Sequence, residues 1–190
     1  MGRPNVRQQL LDSSLEVFQT YGFNGASVQD LTDAAGVPKG SFYNHFSGKE
    51  DLALEALRLY IEAHGIEVLS DSRVKPVERL KKHFRSNWKV VKDRGYKAGC
   101  FLGSLSSEIA DTHEVARDRF GRVYKGWSDA IARVIQEAQE IGDITSRADP
   151  DVLARFVLNA WQGALIRTKV SKSEEPFKDF SAIVFDTLLK

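Results

Sequence analysis

The chain has 190 residues, of which 42% are hydrophobic and 28% charged, and its formal net charge is +1. This composition is typical of a globular protein with one core, or with a small head and a larger body, and no run of ~20 apolar residues suggests a membrane span. The single cysteine excludes an intrachain disulfide and a multi-cysteine zinc site. With no apolar leader at the start, we expect a cytoplasmic protein without metal or cofactor.

The first predicted helix runs from Val6 to Tyr21, where apolar residues recur mostly at helical spacing, and it ends at Gly22. Arg3 and Arg7, at its beginning, could reach a DNA backbone or minor groove. An ordinary solvated terminus explains Arg3 equally well.

Two short helices with a tight turn between them are predicted next. Ser27 is a good N-cap for the first, and Gly36 followed by Pro38 ends that helix and starts the second. This spacing predicts a helix-turn-helix. Phe42 and Phe46 share one face of the second helix, which is predicted to extend from Pro38 to Phe46 and needs such packing because it is short.

Polar residues of the second helix are expected to point outwards. They are Lys39, Ser41, Tyr43, Asn44 and His45, beside Gly40, which permits close approach to another backbone. Such a face suits phosphates and base edges in a DNA major groove.

The segment GVPKGSFYNHFSGKEDL resembles the signature of the TetR family of transcriptional repressors, G-V-x-x-x-x-[LF]-Y-x-[HY]-F-x-x-K. The resemblance implies a homodimer that binds a palindromic operator in double-stranded DNA and is released by a small-molecule effector. Carried over residue by residue, it implies phosphate contacts at Ser27, Tyr43, His45 and Lys49 and base contacts at Gln29, Lys39 and Ser41. Lys39 would donate to guanine and Gln29 would pair with adenine.

The first 50 residues are not basic, because they hold four lysines and arginines against five acidic residues. DNA binding therefore depends on where these charges lie. Hydroxyls, helix N-termini and backbone amides are expected to supply many of the phosphate contacts.

A long helix is expected to follow a capping box formed by Ser47 and Glu50. Its apolar face consists of Ala53, Ala56, Leu57, Tyr60, Ile61, His64 and Val68. Lys49, with the amides of the first turn, is a candidate phosphate clamp. We therefore predict a DNA-binding domain over residues 1–48 and an effector-binding and dimerisation domain over residues 49–190.

Beyond a polar joint at residues 70–76, helical periodicity continues and no stretch alternates as a strand. Helices are predicted around residues 77–91, 99–110, 115–138, 153–168 and 177–188. The predicted fold is all-α, with about nine helices: a three-helix N-terminal helix-turn-helix domain and a C-terminal helical domain.

The last two helices have wide apolar faces with small residues, which favours contact with a second copy of the chain. The predicted dimer interface consists of Phe156, Ala160, Trp161, Ala164, Phe180 and Val184. Alternatively, these faces are buried within one chain.

Large aromatic residues are frequent in the predicted C-terminal domain, and most of them should form its core. The resemblance implies a cavity there for small, mainly apolar effectors. We expect its wall to include Trp88, Phe120, Tyr124 and Trp127.

Cys100 is expected to start a helix and follows three basic residues, Lys92, Arg94 and Lys97. A helix N-terminus and nearby cations stabilise a thiolate. The stretch GCFLGSLSSEIADTHEVARDRF, with Glu108 eight residues after the cysteine, is similar to the body motif of the NemR-like and AcuR-like subgroup. That resemblance implies an electrophile sensor, whereas an inert buried thiol is the other interpretation.

Two other classes of function explain parts of the sequence. Catalysis is suggested by Ser104, Ser106, Ser107, Glu108, Asp111 and His113, but their spacing does not bring a nucleophile to a base, and no phosphate loop accompanies them. A helical protein-interaction adaptor explains the low net charge but not the polar cluster on one short helix. We expect a DNA-binding regulator, with activation as an alternative to repression, and no enzyme.

Overall fold

The computed structural model describes residues 5–63, 66–97 and 99–190. Arg3 and His64, to which the sequence assigned roles, lie outside these residues. The α-helices are α1 (Val6–Gly25), α2 (Val28–Ala35), α3 (Lys39–Phe42), α4 (Lys49–Ala63), α5 (Pro76–Asp93), α6 (Phe101–Ile109), α7 (Glu114–Glu140), α8 (Pro150–Ser171) and α9 (Glu175–Ile183). A 3-10 helix covers Ile66–Ser70 and a π-helical turn covers Val184–Leu188.

The described ranges contain nine α-helices and no strand, which confirms the predicted all-α fold. None of these helices is both long enough and apolar enough to cross a bilayer.

The chain divides into two compact units. The head unit contains Met1–Ala63 and Phe101–Phe120, and the body unit contains His64–Cys100 and Gly121–Lys190. The head unit extends past residue 48 because α1 contacts both α4 and α6. These are units of packing, so the boundary between the functional domains stays a prediction.

The helix-turn-helix follows the predicted local chemistry. Ser27 and Asp30 form a capping box at the start of α2, and Gly36 ends α2 in the left-handed conformation at φ 65°. Phe42 and Phe46 are both buried, as predicted, with ring centroids 5.8 Å apart. They hold α3 against the rest of the head unit.

Two predicted helix limits and one cap were wrong. α3 ends at Phe42 rather than Phe46. After Phe42 the backbone forms turns with hydrogen bonds between residues three apart, such as His45 N–H to Phe42 O at 3.0 Å. α4 ends at Ala63 and does not continue to residue 68. Ser47 bonds through its amide and hydroxyl to Asp51, at 3.1 and 3.2 Å, and not to Glu50.

Aromatic rings form the core of the body unit. Trp161 of α8 packs against Phe84 of α5 and Phe180 of α9, with ring centroids 5.3 and 5.4 Å apart. Gly95, at φ 61°, follows the end of α5 as predicted. This core uses the inner faces of α8 and α9.

Candidate DNA-binding surface and effector region

Four polar side chains on and after α3 point into solvent. They belong to Lys39, Tyr43, Asn44 and His45. None of them has a hydrogen bond or ion pair to another side chain in the described part of the chain, although the ring of Tyr43 rests edge-on against Phe42. Their donors and acceptors are therefore available to a ligand. We call these four residues the α3 surface.

Gly40 and Ser41 lie in the same helix. A Cβ atom at Gly40 would have no heavy atom within 4 Å outside its own helical turn, so the backbone there is open to approach. The Ser41 hydroxyl donates to Pro38 O at 2.6 Å, which engages its proton in a local bond while its lone pairs stay available.

Ser27 and Gln29 on α2 are occupied by neighbouring carboxylates. The Ser27 hydroxyl donates to Asp30 Oδ2 at 2.6 Å, and the Gln29 amide donates to Asp33 Oδ1 at 2.7 Å. The hydrogen bonds from Ser27 lower the pKa of the Asp30 carboxyl below its ordinary value. A phosphate at Ser27 would meet this negative charge, and Gln29 must release Asp33 before its amide group can pair with a base.

Lys49 is not arranged as a phosphate clamp. Its amine donates to Phe23 O at 2.5 Å and to Ala26 O at 2.7 Å, and it lies 4.5 Å from the centroid of the Phe23 ring. Burial lowers the pKa of Lys49, and the charge of Glu108 opposes this shift. The sequence prediction considered the start of α4 alone, whereas in the structure the carbonyls of Phe23 and Ala26 lie at the same amine.

Arg7 is also occupied within the head unit. Its guanidinium forms an ion pair with Glu55 of α4 and lies over the Phe46 ring, 5.2 Å from the centroid. The hydrogen bond to Glu55 raises the pKa of Arg7. The interaction ties α1 to α4, so Arg7 is not a free arm for DNA in this structure.

The four residues predicted to line an effector pocket have different surroundings in the described part of the chain. Trp88 stacks on Phe177 with centroids 4.6 Å apart, and Trp127 Nε1–H donates to His83 Nε2 at 3.0 Å. Phe120 is buried in the head unit. Tyr124 lines the groove described next. Aromatic spacing along single helices does not specify which of them face a common space.

The groove lies between α7 and α8 in the body unit and has a volume of about 650 Å³. It is lined by Tyr124, Lys125, Ser128, Asp129, Asp151, Arg155, Leu158, Asn159, Gln162, Gly163 and Ile166. Its lining mixes charged, amide and apolar side chains, in contrast to the expected aromatic wall. Periodicity along single helices does not predict this groove, because its lining residues come from separate helices.

Cys100 is buried with 6% of its surface exposed. Gln162, which also lines the groove, donates from Nε2 to Cys100 Sγ at 3.3 Å. Lys92, one of the cations expected near the thiol, instead forms an ion pair with Glu174. The structure thus relates Cys100 to the groove through an amide.

Three of the six predicted dimer residues lie in the core of the chain itself. Trp161, Phe180 and Val184 are no more than 5% exposed, and Ala160 and Ala164 are half-buried. Phe156 alone is fully available, because 54% of it is exposed. Apolar periodicity predicted one wide apolar face on α8 but did not distinguish its core part from its exposed edge.

The outer face of α8 carries exposed apolar residues at helical spacing. They are Val152, Phe156, Ile166 and Val170, with Gly163 between them on the same side. We call these five residues the α8 stripe. Exposed apolar side chains in a row of this length are typical of a surface that meets another protein.

The serines of the candidate catalytic cluster are engaged by the backbone. Ser106 donates to Leu102 O at 2.7 Å and Ser107 donates to Ser104 O at 2.9 Å. His113 Nδ1 lies 2.8 Å from the Thr112 hydroxyl. These contacts fit helix and turn structure and do not form a nucleophile and base pair.

Two family models match most of the chain. Residues 10–56 match the model described as bacterial regulatory proteins, tetR family. Residues 76–184 match the model described as tetracyclin repressor-like, C-terminal domain.

Individual proteins are similar over nearly the full length. The HTH-type transcriptional repressor DhaR of Mycobacterium sp. (strain GP1) is 36% identical over 192 residues, covering 100% of this chain and 95% of that protein. A crystal structure of regulatory protein TetR from Rhodobacter sphaeroides has a TM-score of 0.88 at 28% identity and covers 95% of this chain and 97% of that one. The reduced form of E. coli NemR has a TM-score of 0.85 at 26% identity, with 96% of both chains covered.

Proposed function

Since the chain belongs to the TetR family of transcriptional regulators, whose members bind DNA operators and small-molecule effectors and act as dimers, we propose that it is a homodimeric repressor of a palindromic operator. The proposed domains are residues 1–48 for DNA binding and 49–190 for effector binding and dimerisation. We place the protein in the cytoplasm, where a bacterial chromosome is accessible. Its relatives are transcriptional regulators and not enzymes.

The exposure of the α3 surface is the observation that supports this proposal. Its four polar side chains are exposed and free of side-chain partners in the described chain, whereas Arg7 and Lys49 of the same unit are engaged internally. A short helix held rigidly by Phe42 and Phe46 and presenting several donors is suited to the major groove.

We assign different roles to the residues of this surface. Lys39, at the start of α3, donates to a guanine edge, while Tyr43 and His45 contact phosphates. Asn44 and the open backbone at Gly40 and Ser41 support close approach to DNA. Gln29 reads an adenine after it leaves Asp33. Ser27 and Lys49 are removed from the phosphate contacts proposed from the sequence, because their polar groups already have partners.

A dimer formed through the α8 stripe contains two head units, one from each subunit. One helix-turn-helix contacts few bases, whereas two related by symmetry contact both half-sites of a palindrome. The exposure of Phe156, Ile166 and Val170, at 54%, 68% and 82%, supports this face over the inner face of α8. Phe156 therefore stays in the proposed interface, with Val152, Gly163, Ile166 and Val170 in place of the core residues.

Selection of a duplex from a random-sequence pool, followed by a salt titration, tests DNA binding. We expect a palindromic duplex whose observed affinity falls steeply with salt, because phosphate contacts release counterions. A helical adaptor, the alternative function, would retain no duplex even at low salt. The triple variant Lys39→Ala, Tyr43→Ala and His45→Ala should abolish selection, while Lys75→Ala, Lys169→Ala and Lys178→Ala in the body unit, which remove more positive charge, serve as the control.

The effector is proposed to bind in the groove between α7 and α8, which shares Gly163 and Ile166 with the α8 stripe and is therefore bordered by the partner subunit in the proposed dimer. Its volume suits a small molecule, and its lining carries the polar side chains of Tyr124, Arg155 and Asn159 beside the apolar Leu158. A metabolite screen for thermal stabilisation, repeated with Tyr124→Phe and Arg155→Ala, tests this placement. Compounds that stabilise the wild type and release the operator should lose both effects in these variants.

Modification of Cys100 is proposed as a second route to release. Its thiol accepts a hydrogen bond from Gln162 in the groove lining, so an added group at Sγ would displace Gln162. N-ethylmaleimide should release operator from the wild type and not from Cys100→Ser. Slow alkylation of the folded protein, or equal release from both proteins, would identify Cys100 as an inert core residue.

A further inference from the structure

The turn that precedes the helix-turn-helix is held from two sides within the head unit. This turn, residues 22–26, begins inside α1 at Gly22, where the backbone leaves helical geometry, and ends before the Ser27 cap of α2. The side chain of Glu108, in α6, accepts a hydrogen bond from the backbone N–H of Asn24, with 2.9 Å between Oε2 and the nitrogen. Lys49 of α4 donates to two carbonyls of the same turn. Because Ser27 follows directly, the turn determines where α2 and α3 begin.

The backbone of the turn is shaped around the Glu108 carboxylate. Gly22 has φ 74°, in the region that favours glycine, and a Cβ atom there would lie 2.8 Å from Glu108 Oε1. Phe23 is buried beside it, stacked on Phe18 and in edge contact with His113, with centroids 5.9 and 5.6 Å apart. The carboxylate can therefore approach the backbone at residue 22 because glycine has no Cβ atom there.

The segment that carries Glu108 enters the head unit from the body unit and returns to it. Residues 101–120 pack in the head unit, whereas the adjoining Cys100 and Gly121 belong to the body unit. The chain also leaves the head unit at the end of α4. Within the inserted segment, Glu108 is the charged side chain that bonds to the turn before α2.

We propose that Glu108 is a positioning residue that holds α2 and α3 of each head at the orientation required for two heads to bind one operator. The proposal rests on the DNA-binding function proposed above. When two linked sites bind one duplex, the second contact depends on the effective concentration of the second head at its half-site. A turn released from Glu108 lowers that effective concentration without altering the α3 surface.

The test compares two duplexes and three variants. The first duplex is the palindrome selected by the wild type, and the second retains one half-site with the other arm scrambled. Glu108→Ala should weaken palindrome binding by about tenfold, the size expected for loss of a charge-assisted hydrogen bond, and leave half-site binding within about twofold. Glu108→Gln, whose amide oxygen still accepts from Asn24, should restore most of the palindrome affinity.

Asp111→Ala is the matched control, because Asp111 is an exposed carboxylate two residues beyond α6. It should bind both duplexes as the wild type does. Hydrogen exchange at the Asn24 amide should accelerate in Glu108→Ala and not in Asp111→Ala. All measurements are made below the melting transitions of the variants. If Glu108→Ala does not fold, Glu108→Asp replaces it, since its carboxylate is one methylene short of the Asn24 amide.

Several results would overturn the proposal. Equal loss on both duplexes would mean that the α3 surface itself is disturbed, and no loss on either would mean that Glu108 does not position the heads. A Glu108→Gln variant as weak as Glu108→Ala would remove the hydrogen bond as the cause. Failure of the wild type to retain any duplex would instead refute the proposed DNA-binding function.

Discussion

Trp161 of α8 and Phe180 of α9 pack against each other inside one chain, with ring centroids 5.4 Å apart. Both residues were expected from the sequence to face a second subunit. Their burial leaves the opposite side of α8 exposed, and the α8 stripe on that side is the surface through which we expect dimers to form.

Ile166→Glu should separate the dimer without unfolding the chain, because it introduces a charge into the proposed interface at a residue that is 68% exposed in one chain. Light scattering after size exclusion measures the change in mass. Lys169→Glu, an exposed residue of α8 that lies about 100° around the helix from the centre of the stripe, should leave the mass unchanged.

Trp161→Ala should produce the opposite pattern. It empties a core position and should lower the free energy of unfolding by about 3–5 kcal/mol. Urea unfolding measures that loss. If Trp161→Ala dissociates a stable dimer and Ile166→Glu does not, the interface is the face of α8 that carries Trp161, as predicted from the sequence, and not the α8 stripe.

Lys49→Met should destabilise the chain and leave the salt dependence of operator binding unchanged. The variant retains most of the aliphatic stem but leaves the carbonyls of Phe23 and Ala26 without the amine, at a cost of about 1–3 kcal/mol in unfolding free energy. Urea unfolding and the slope of log affinity against log salt are the two measurements. A shallower slope with unchanged stability would restore Lys49 as a phosphate contact.

Lys39→Ala should relax sequence preference at one base pair. The Lys39 amine is proposed to donate to a guanine edge. Without it, the difference in binding free energy between guanine and the other bases at that position should fall by about 1–3 kcal/mol. Tyr43→Phe, which removes one phenolic hydroxyl from a proposed phosphate contact, should weaken binding to all sequences alike. Affinities for a set of single-base operator variants distinguish these patterns, and a uniform loss in Lys39→Ala would contradict its assignment to a base.

Asp30 should contribute stability that disappears in acid. Hydrogen bonds from Ser27 lower its pKa in the folded chain below the ordinary value of 3.8, so the unfolded chain binds the proton more readily. The contribution is complete above about pH 5 and is lost as pH falls through the folded pKa.

Thermal melts of the wild type and Asp30→Ala between about pH 3 and pH 7 check this expectation. The difference in melting temperature should be largest at neutral pH and shrink below the ordinary pKa. Asp118→Ala, which removes an exposed carboxylate on α7, provides the comparison. A difference that grows in acid would show that the carboxylate is not what stabilises the cap.

Features set by a few adjacent residues were predicted correctly. The Ser27 N-cap, the glycine that ends α2 and the buried pair Phe42 and Phe46 all follow from spacing along one segment. The cap of α4 was predicted with the wrong carboxylate, because Glu50 and Asp51 compete for Ser47 and only the side-chain geometry selects between them.

Local chemistry was sufficient for the helical fold, the helix-turn-helix and the polar character of the α3 surface, since each depends on propensity, capping and periodicity over short distances. Folding in three dimensions decided which face of α8 is covered, which carbonyls engage Lys49, and that Glu108 meets the turn before α2. These outcomes depend on residues far apart in the chain, up to 84 positions for Asn24 and Glu108. Periodicity tells which side of a helix is apolar, but it does not tell which neighbour will cover it.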